Sequence, residues 1–469
     1  MSTELNLRFP NPEQVVIRFG DGETAALSFQ NPLTTNDHKD IRWYVETYAA
    51  HSLGDPDDSE AARIRDQLPV WGKALFDAVF GDPAARRWFN AFQDADDSAK
   101  LITVSAEHPA ILALPWELLH ESTAPDGAHL FHEQISIRRR FAGAGQGRQP
   151  IKINAKDRLH LLFVISRPVK AGFIDPRADA GAVMDALEQF APGRITTEFL
   201  YPPTLPALLK RLQEADKPTV DIMHFDGHGR FDTATGMGYL LFENTRGFQH
   251  LVSADRLGDD LYQHGVALAI LSACQSATLD DQQADPLGSV ATGLLAKGVP
   301  AVLAMTYSVL VATSEALFGA FYQALVQGRT VGQALDYARE HINEHPEKFQ
   351  VRRGSEWVWL KLHDWFVPTL YQNVQDEPLL IATARAFVPV KYSGQFPERP
   401  KADFFGRYYD LWRIERGFAG AVLRITITGF GGQGKTALAL EAGRWLVRTG
   451  LFRAAVFVSY AGFQGIDAV

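Results

Sequence analysis

Between Leu159 and Met305 the chain returns repeatedly to short apolar runs: LHLLFVIS (159–166), Thr219–Phe225, YLLFE (239–243), Val266–Ser272 and Pro300–Met305. Amphipathic stretches alternate with them, first at Ala178–Phe190 and later at about 313–327 and 330–345. The last opens on Thr330-Val-Gly-Gln333, a capping-box pattern, and puts Val331, Ala334, Leu335, Ala338 and Ile342 on one helix face. Strands without a polar face belong to sheets covered on both sides, and strand–helix alternation makes such a sheet mostly parallel. The expected fold class is therefore α/β, a mostly parallel sheet flanked by helices. At 469 residues and 46% hydrophobic, the chain is long enough for two or three domains.

The flanking regions read differently. Residues 1–30 suggest a β-hairpin, with VVIRF and ALSF on either side of the turn cluster GDGET. From Asp37 to Phe92 the pattern is helical, followed by strand-like LITVS, the string ILALPWELLH and strand-like ISIRRRF. GAGQGRQP (143–150) marks a flexible break, and WFVPTLYQ (365–372) a closing strand. Residues 376–402 lose periodicity, carry Pro378, Pro389, Pro397 and Pro400, and are expected to be a linker. A second unit starts near Phe404.

Two of the apolar runs end in reactive side chains. Val266–Leu271 leads to the only cysteine, Cys274, in LAILSACQSA, and Thr219–Phe225 leads to His224 and His228 in DIMHFDGHG. Parallel α/β sheets carry their chemistry at the carboxyl ends of strands, so a thiol and an imidazole there suggest a nucleophile and its base. Thiolate attack also needs donors for the oxyanion that forms on a substrate carbonyl. Gly227 and Gly229 flank His228, suit a turn out of the strand, and let the backbone approach a substrate closely. The amides of Gly229 and Cys274 are the expected donors. A rival chemistry is open at this point. In an extended strand His224, Asp226 and His228 share one face, which suits a divalent metal and a metal-dependent hydrolase.

HFDGHG followed by LSACQSA resembles the CHAT domain, a caspase-related cysteine protease family, and DIRWYVETY, LPWELLH and FVPTLYQ are similar to CHAT strings. The resemblance covers roughly residues 35–375. It implies Cys274 as nucleophile, His228 as general base and His224 as a supporting residue, with no cofactor for the protease. It also implies that residues 1–150 form a non-catalytic buttressing half and 151–375 the protease half. In related proteases a carboxylate two positions before the cysteine selects a basic substrate residue. Ser272 stands there and is the specificity-pocket candidate, so Arg or Lys selectivity is not supported by that position; Asp280, Asp281 or Asp285 in the next loop could supply charge. A catalytically silent scaffold of the same fold is the alternative.

The third motif is Gly429-Phe-Gly-Gly-Gln-Gly-Lys-Thr436, after the strand-like Val422–Thr428 and before the helical Thr436–Leu446. This strand–loop–helix context is what a phosphate loop requires. Gly429, Gly431, Gly432 and Gly434 would let backbone amides cradle phosphate, Lys435 would reach the outer phosphates, and Thr436 could ligate magnesium. RITITGFGGQGKTALALEA and FFGRYYDLWRIE (404–415) resemble NB-ARC and related STAND ATPases. Residues 403–469 would then be a partial P-loop NTPase domain ending in the strand-like AAVFVSY, before the acidic and sensor elements. ATP and magnesium are expected only for a complete domain.

The resemblances together imply a protein substrate, self-association through the NTPase part, and a signalling or defence role. A net charge of −9 argues against nucleic acid as a partner. The N-terminal MSTELNLRFPNPEQ lacks an apolar signal core, and no stretch is long enough for a membrane span. A single cysteine excludes a disulfide framework, and a cytoplasmic location is expected.

Overall fold

The computed structural model describes residues 3–48, 58–95, 99–121, 129–130, 135–142, 151–171, 175, 177–190, 192–232, 237–274, 286–307, 309–381, 397, 404, 406–420 and 422–458, with backbone alone at 178, 273, 274, 286 and 287. The chain begins with β1 (Thr3–Asn11), β2 (Gln14–Phe19), β3 (Gly22–Glu23) and β4 (Leu27–Ser28). Next come α1 (Thr35–Arg42), α2 (Asp58–Phe80), α3 (Pro83–Gln93), β5 (Lys100–Ala106), α4 (Pro109–Leu112) and β6 (Ile135–Phe141). The alternating region runs through β7 (Leu159–Ile165), α5 (Ala178–Phe190), β8 (Ile195–Phe199), α6 (Leu205–Gln213), β9 (Ile222–Asp232), β10 (Met237–Glu243) and β11 (Gln249–Ser253). It continues with α7 (Ala254–Gln263), β12 (Leu268–Cys274), α8 (Pro286–Ala296), β13 (Ala301–Met305), α9 (Val311–Val326) and α10 (Val331–Glu344). A hairpin of β14 (Glu347–Arg353) and β15 (Glu356–Lys361) precedes β16 (Pro368–Gln372), and α11 (Tyr408–Ala419) and α12 (Lys435–Arg448) follow.

Among the described residues, fourteen strands form one sheet, in the order β11-β10-β9-β12-β13-β16-β6-β5-β1-β2-β3. The first half of β9 pairs with β7, which carries β8, and the second half pairs with β10. Most neighbours are parallel: β1 with β5, β5 with β6, β6 with β16, β7 with β8 and β9, and β12 with β9 and β13. The expected class is the observed one. On one face α5 packs against α9 and α9 against α10, while α7 and α8 cover the other. Thr330 caps α10 through the expected reciprocal bonds with Gln333.

WFVPTLYQ does not close the sheet at an edge. Its strand β16 lies inside, antiparallel to β13 and parallel to β6, and joins the first 150 residues to the rest. The arginines of ISIRRRF make that seam. Arg138 bonds Thr103, Gln372, the Val374 carbonyl and Glu4, so one buried guanidinium ties β5, β16 and β1 to β6. Arg139 binds Glu117 and the carbonyls of Leu112 and Leu114, and Arg339 of α10 reaches the same Glu117 and the Pro368 carbonyl. Buried charge is tolerable when it is paired and hydrogen-bonded in this way.

Other expectations change in detail. The N-terminal hairpin is larger than ALSF and VVIRF suggest, because β1 pairs with both β2 and β5. β1, β8 and β11 have no counterpart in the apolar pattern because all three mix polar with apolar positions, and β8 and β11 are only five residues each. The linker begins too early: Leu379 and Leu380 are buried, and Asp376 accepts from Thr330 and Gly332. Residues 143–150 and most of 382–403 lie outside the described residues. Val422–Thr428 and the described part of AAVFVSY are not strands, since neither has a sheet partner among the described residues. Leu423 is left 97% exposed.

Glu198 of β8 shows how the sheet edge holds charge. Burial raises its pKa, but hydrogen bonds from His160 and Arg211, and their charge, hold it at about 2 against an ordinary 4.5. A depressed carboxylate contributes stability above its unfolded value and loses it as pH falls toward the folded one. Glu198→Gln is thus expected to lower the urea midpoint near pH 6, and the gap from wild type should close by about pH 2.

Candidate active site

The strand through DIMHFDGHG does not turn at its glycines. β9 runs from Ile222 to Asp232, and neither Gly227 nor Gly229 has a positive φ. Gly227 is needed for close packing instead: a Cβ there would come within 2.7 Å of the Phe225 ring and 3.3 Å of the Ser166 carbonyl. The expectation that the chain leaves the strand at His228 is overturned. His228 sits mid-strand, opposite Leu241 of β10, and Gly229 stands opposite Leu240.

On the other side β9 pairs with β12 in parallel, from Ile222 beside Leu268 to His228 beside Cys274. Register partners on adjacent strands are about 4.8 Å apart and share a face. The two residues singled out from separate motifs are thereby brought together, and His224 lies four positions away, beside Ile270. His228 is wholly buried. Asp280, Asp281 and Asp285 lie outside the described residues, as do Gln275 and Ser276.

His224 stands in a ring cage. Phe163, Phe318 and Tyr322 surround it at centroid distances of 5.2, 4.6 and 6.3 Å, and its Nε2 is 3.8 Å from Asp179 Oδ2. Asp226 is held by Arg167, whose guanidinium donates to its Oδ2 at 2.7 Å and to its carbonyl at 2.7 Å. The three side chains of HxDxH do share a strand face, as the metal reading required. That reading fails on their engagements: Asp226 is neutralised by Arg167 and His224 is walled by rings. No group of three metal-ligating side chains occurs among the described residues.

Sequence reasoning missed the residue that organises this face. Asp179, in the first turn of α5, accepts from the hydroxyls of Ser272 and Ser314. A carboxylate therefore stands beside position 272, supplied by a helix 93 residues away in the chain. Burial opposes charge on Asp179, but His224 and the two hydroxyls hold its pKa below the usual carboxylate value. An acidic residue opening a helix is ordinary and gave no signal of this role. Arg167, two residues beyond the end of β7, was equally silent.

Near the end of β13, a cavity of about 270 Å³ opens between Tyr307 and the N-terminal region, lined by Asn31, His38 and Arg42 among others. In the phosphate-loop motif, Gly429, Gly432 and Gly434 have φ of 148°, 77° and 70°, conformations that favour glycine. Gly434 precedes α12, Lys435 donates to the Phe430 carbonyl at 2.7 Å, and Arg407 to the Gln433 carbonyl at 3.0 Å. A Cβ at Gly431, Gly432 or Gly434 would meet open space, and Thr436 is exposed, so the loop residues fit a phosphate group.

Asp226 lends the site a pH signature. Burial raises its pKa to about 6 from 3.8, with Asp179 adding to the rise and Arg167 opposing it. The native state thus holds this proton more tightly than the unfolded chain, and stability falls as pH rises from 3.8 through about 6. Asp226→Asn should flatten that decline in urea titrations, because the amide does not titrate; only above about pH 6, where Asp226 is ionised, does it also take a charged partner from Arg167.

The family model described as CHAT domain matches residues 70–372. No curated protein matches the chain. Among solved structures, the chain is similar to the complex of Porphyromonas gingivalis RgpB pro- and mature domains, at 11% identity and TM-score 0.38, covering 71% of this chain and 79% of that one. It is also similar to two structures of the Saccharomyces cerevisiae separase–securin complex. One has 10% identity and TM-score 0.39, covering 79% of this chain and 30% of that chain. The other has 12% identity and TM-score 0.33, covering 70% and 20%. No helix among the described residues is long and apolar enough to cross a membrane.

Proposed function

Since the chain belongs to the CHAT domain family, we propose that it is a caspase-like cysteine endopeptidase acting on a protein substrate. One observation carries the reading: the register of β9 and β12 makes the sole cysteine, Cys274, the partner of His228. His228 takes the thiol proton, and the thiolate attacks the carbonyl carbon of the scissile peptide bond. The amides of Gly229 and Cys274 hold the oxyanion. Collapse of the intermediate breaks the C–N bond as the imidazolium protonates the leaving amine, leaving a thioester. Water, deprotonated by His228, then attacks the thioester; the thiol regains its proton and the new carboxylate departs. His224 and Asp179 act as positioning residues for this face.

A peptide-library digest with the full chain tests the reading. Cys274→Ala should abolish cleavage, and His228→Ala should lower kcat/KM by about a hundredfold or more. His224→Ala should act mainly on stability. Cleavage that survives Cys274→Ala sinks the proposal, and no cleavage by any form, wild type included, favours the silent scaffold.

The phosphate loop is proposed to regulate the peptidase within a STAND-type signalling or defence protein that self-associates. Bound there, ATP and magnesium would supply a charged ligand whose phosphates the loop amides and Lys435 hold, with Thr436 toward the metal. Lys435 is tied to its own loop, and the flanking segments have no sheet partner among the described residues. Calorimetric titration of these 469 residues with ATP and magnesium is therefore expected to give no low-micromolar binding. A low-micromolar isotherm would show the nucleotide site to be more fully built than this.

A further inference from the structure

The C-terminal segment is not a separate body beside the protease half. Trp445 of α12 enters the main hydrophobic core, edge-on to Phe199, and donates to Glu415 of α11 at 3.0 Å; Tyr201 donates to the same carboxyl. Arg448 binds Asp185 and Glu188 on α5. Glu441, Trp445 and Arg448 lie on one face of α12, the helix whose first residue is Lys435.

From this docking surface two relays of charge run to the two catalytic strands. In the first, Arg416 of α11 pairs with Glu243 at the end of β10. Glu243 accepts the backbone amide of Arg167 at 2.9 Å, and Arg167 clasps Asp226, two residues before His228. In the second, Glu441 pairs with Arg177 at 3.2 Å, and the Arg177 guanidinium lies 4.9 Å from the ring centre of Tyr408 and 5.8 Å from that of Trp445. Two residues on, Asp179 takes the hydroxyl of Ser272, two residues before Cys274. Glu243, Arg167, Asp226, Asp179 and Ser272 are all buried. Buried charges that must stay paired couple the elements bearing them, because moving one partner strands the other.

We propose that α11 and α12 form a latch that holds the peptidase site shut. Seated as they are, they fix β9 and β12 in the arrangement that leaves His228 without exposed surface. Withdrawing them releases Arg167 and Asp179, the positioning residues, and with them the ends of both strands. Because α12 begins at the phosphate loop, a movement there is transmitted through one helix to Arg177. The latch rests on the reading of Cys274 and His228 as the reacting pair, but its test reads thiol chemistry rather than cleavage.

Cys274 is the only cysteine, so alkylation of the full chain by iodoacetamide reports this site alone. Glu441→Lys and Arg416→Gln each break one relay at its far end, away from the reacting groups. Each should speed alkylation at neutral pH on the order of tenfold, the scale of an ordinary coupling between sites. Glu441→Asp, which keeps the charge, should stay near the wild-type rate. Circular dichroism and urea midpoints keep the comparison to folded protein, and the two variants act through separate relays, so either can carry the test if the other does not fold. Alkylation that is unchanged or slower in a folded relay variant overturns the latch. Faster alkylation with no cleavage of any peptide supports the latch while removing the peptidase reading.

Discussion

A parallel ladder has a period of two, so a slip of one residue between β9 and β12 would send every side chain of one strand to the opposite face. The ladder from Ile222 beside Leu268 to His228 beside Cys274 therefore decides which residues can meet. Buried Ile222, Met223, Phe225, Leu268, Ile270 and Leu271 resist such a slip, because each has its place against a covering helix layer. The polar file on the same strands then follows of necessity: His224, Asp226 and His228 along one, Ser272 and Cys274 along the other. Packing fixes the register, and the register assembles the candidate chemistry.

The same sheet explains why residues before 150 matter. β6 and β16 meet at one register pair, Arg139 beside Tyr371, which is too little ladder to hold two halves together. The buried guanidinium groups of Arg138, Arg139 and Arg339 supply the remainder by bonding to carbonyls and carboxylates of both halves. The cavity lined by Asn31, His38, Arg42 and Tyr307 is likewise shared between the two parts of the chain.

Among the described residues, the C-terminal segment joins the α/β sheet region through aromatic and charged contacts rather than through a sheet. Its apolar extended stretches, with Leu423 and Val456 largely exposed, contribute little to the docking, whereas Trp445 and Glu415 are buried. Helices can dock by one face as soon as that face finds an apolar groove, but a strand needs neighbours on its edges. That difference is why α11 and α12 are formed and seated while Val422–Thr428 is not a strand.

Much was legible from local pattern. Apolar runs separated by amphipathic stretches give the α/β class, the capping box at Thr330 gives the start of α10, and the glycines before Lys435 give the phosphate-loop turn. Each depends on residue types a few positions apart, which is the range over which helix period, strand period and turn chemistry operate. The lone cysteine and the glycine-flanked histidine were each legible near the end of an apolar run, but that they stand as register partners comes only from the β9–β12 ladder. Whether His228 left its strand was not, because Gly227 answers to the Phe225 ring and the Ser166 carbonyl rather than to a turn. The roles of Asp179, Arg167, Arg139 and Arg177 were not legible either. A buried charge is defined by its partners, and these partners come from distant segments that only the closed sheet and its helices bring within hydrogen-bonding distance.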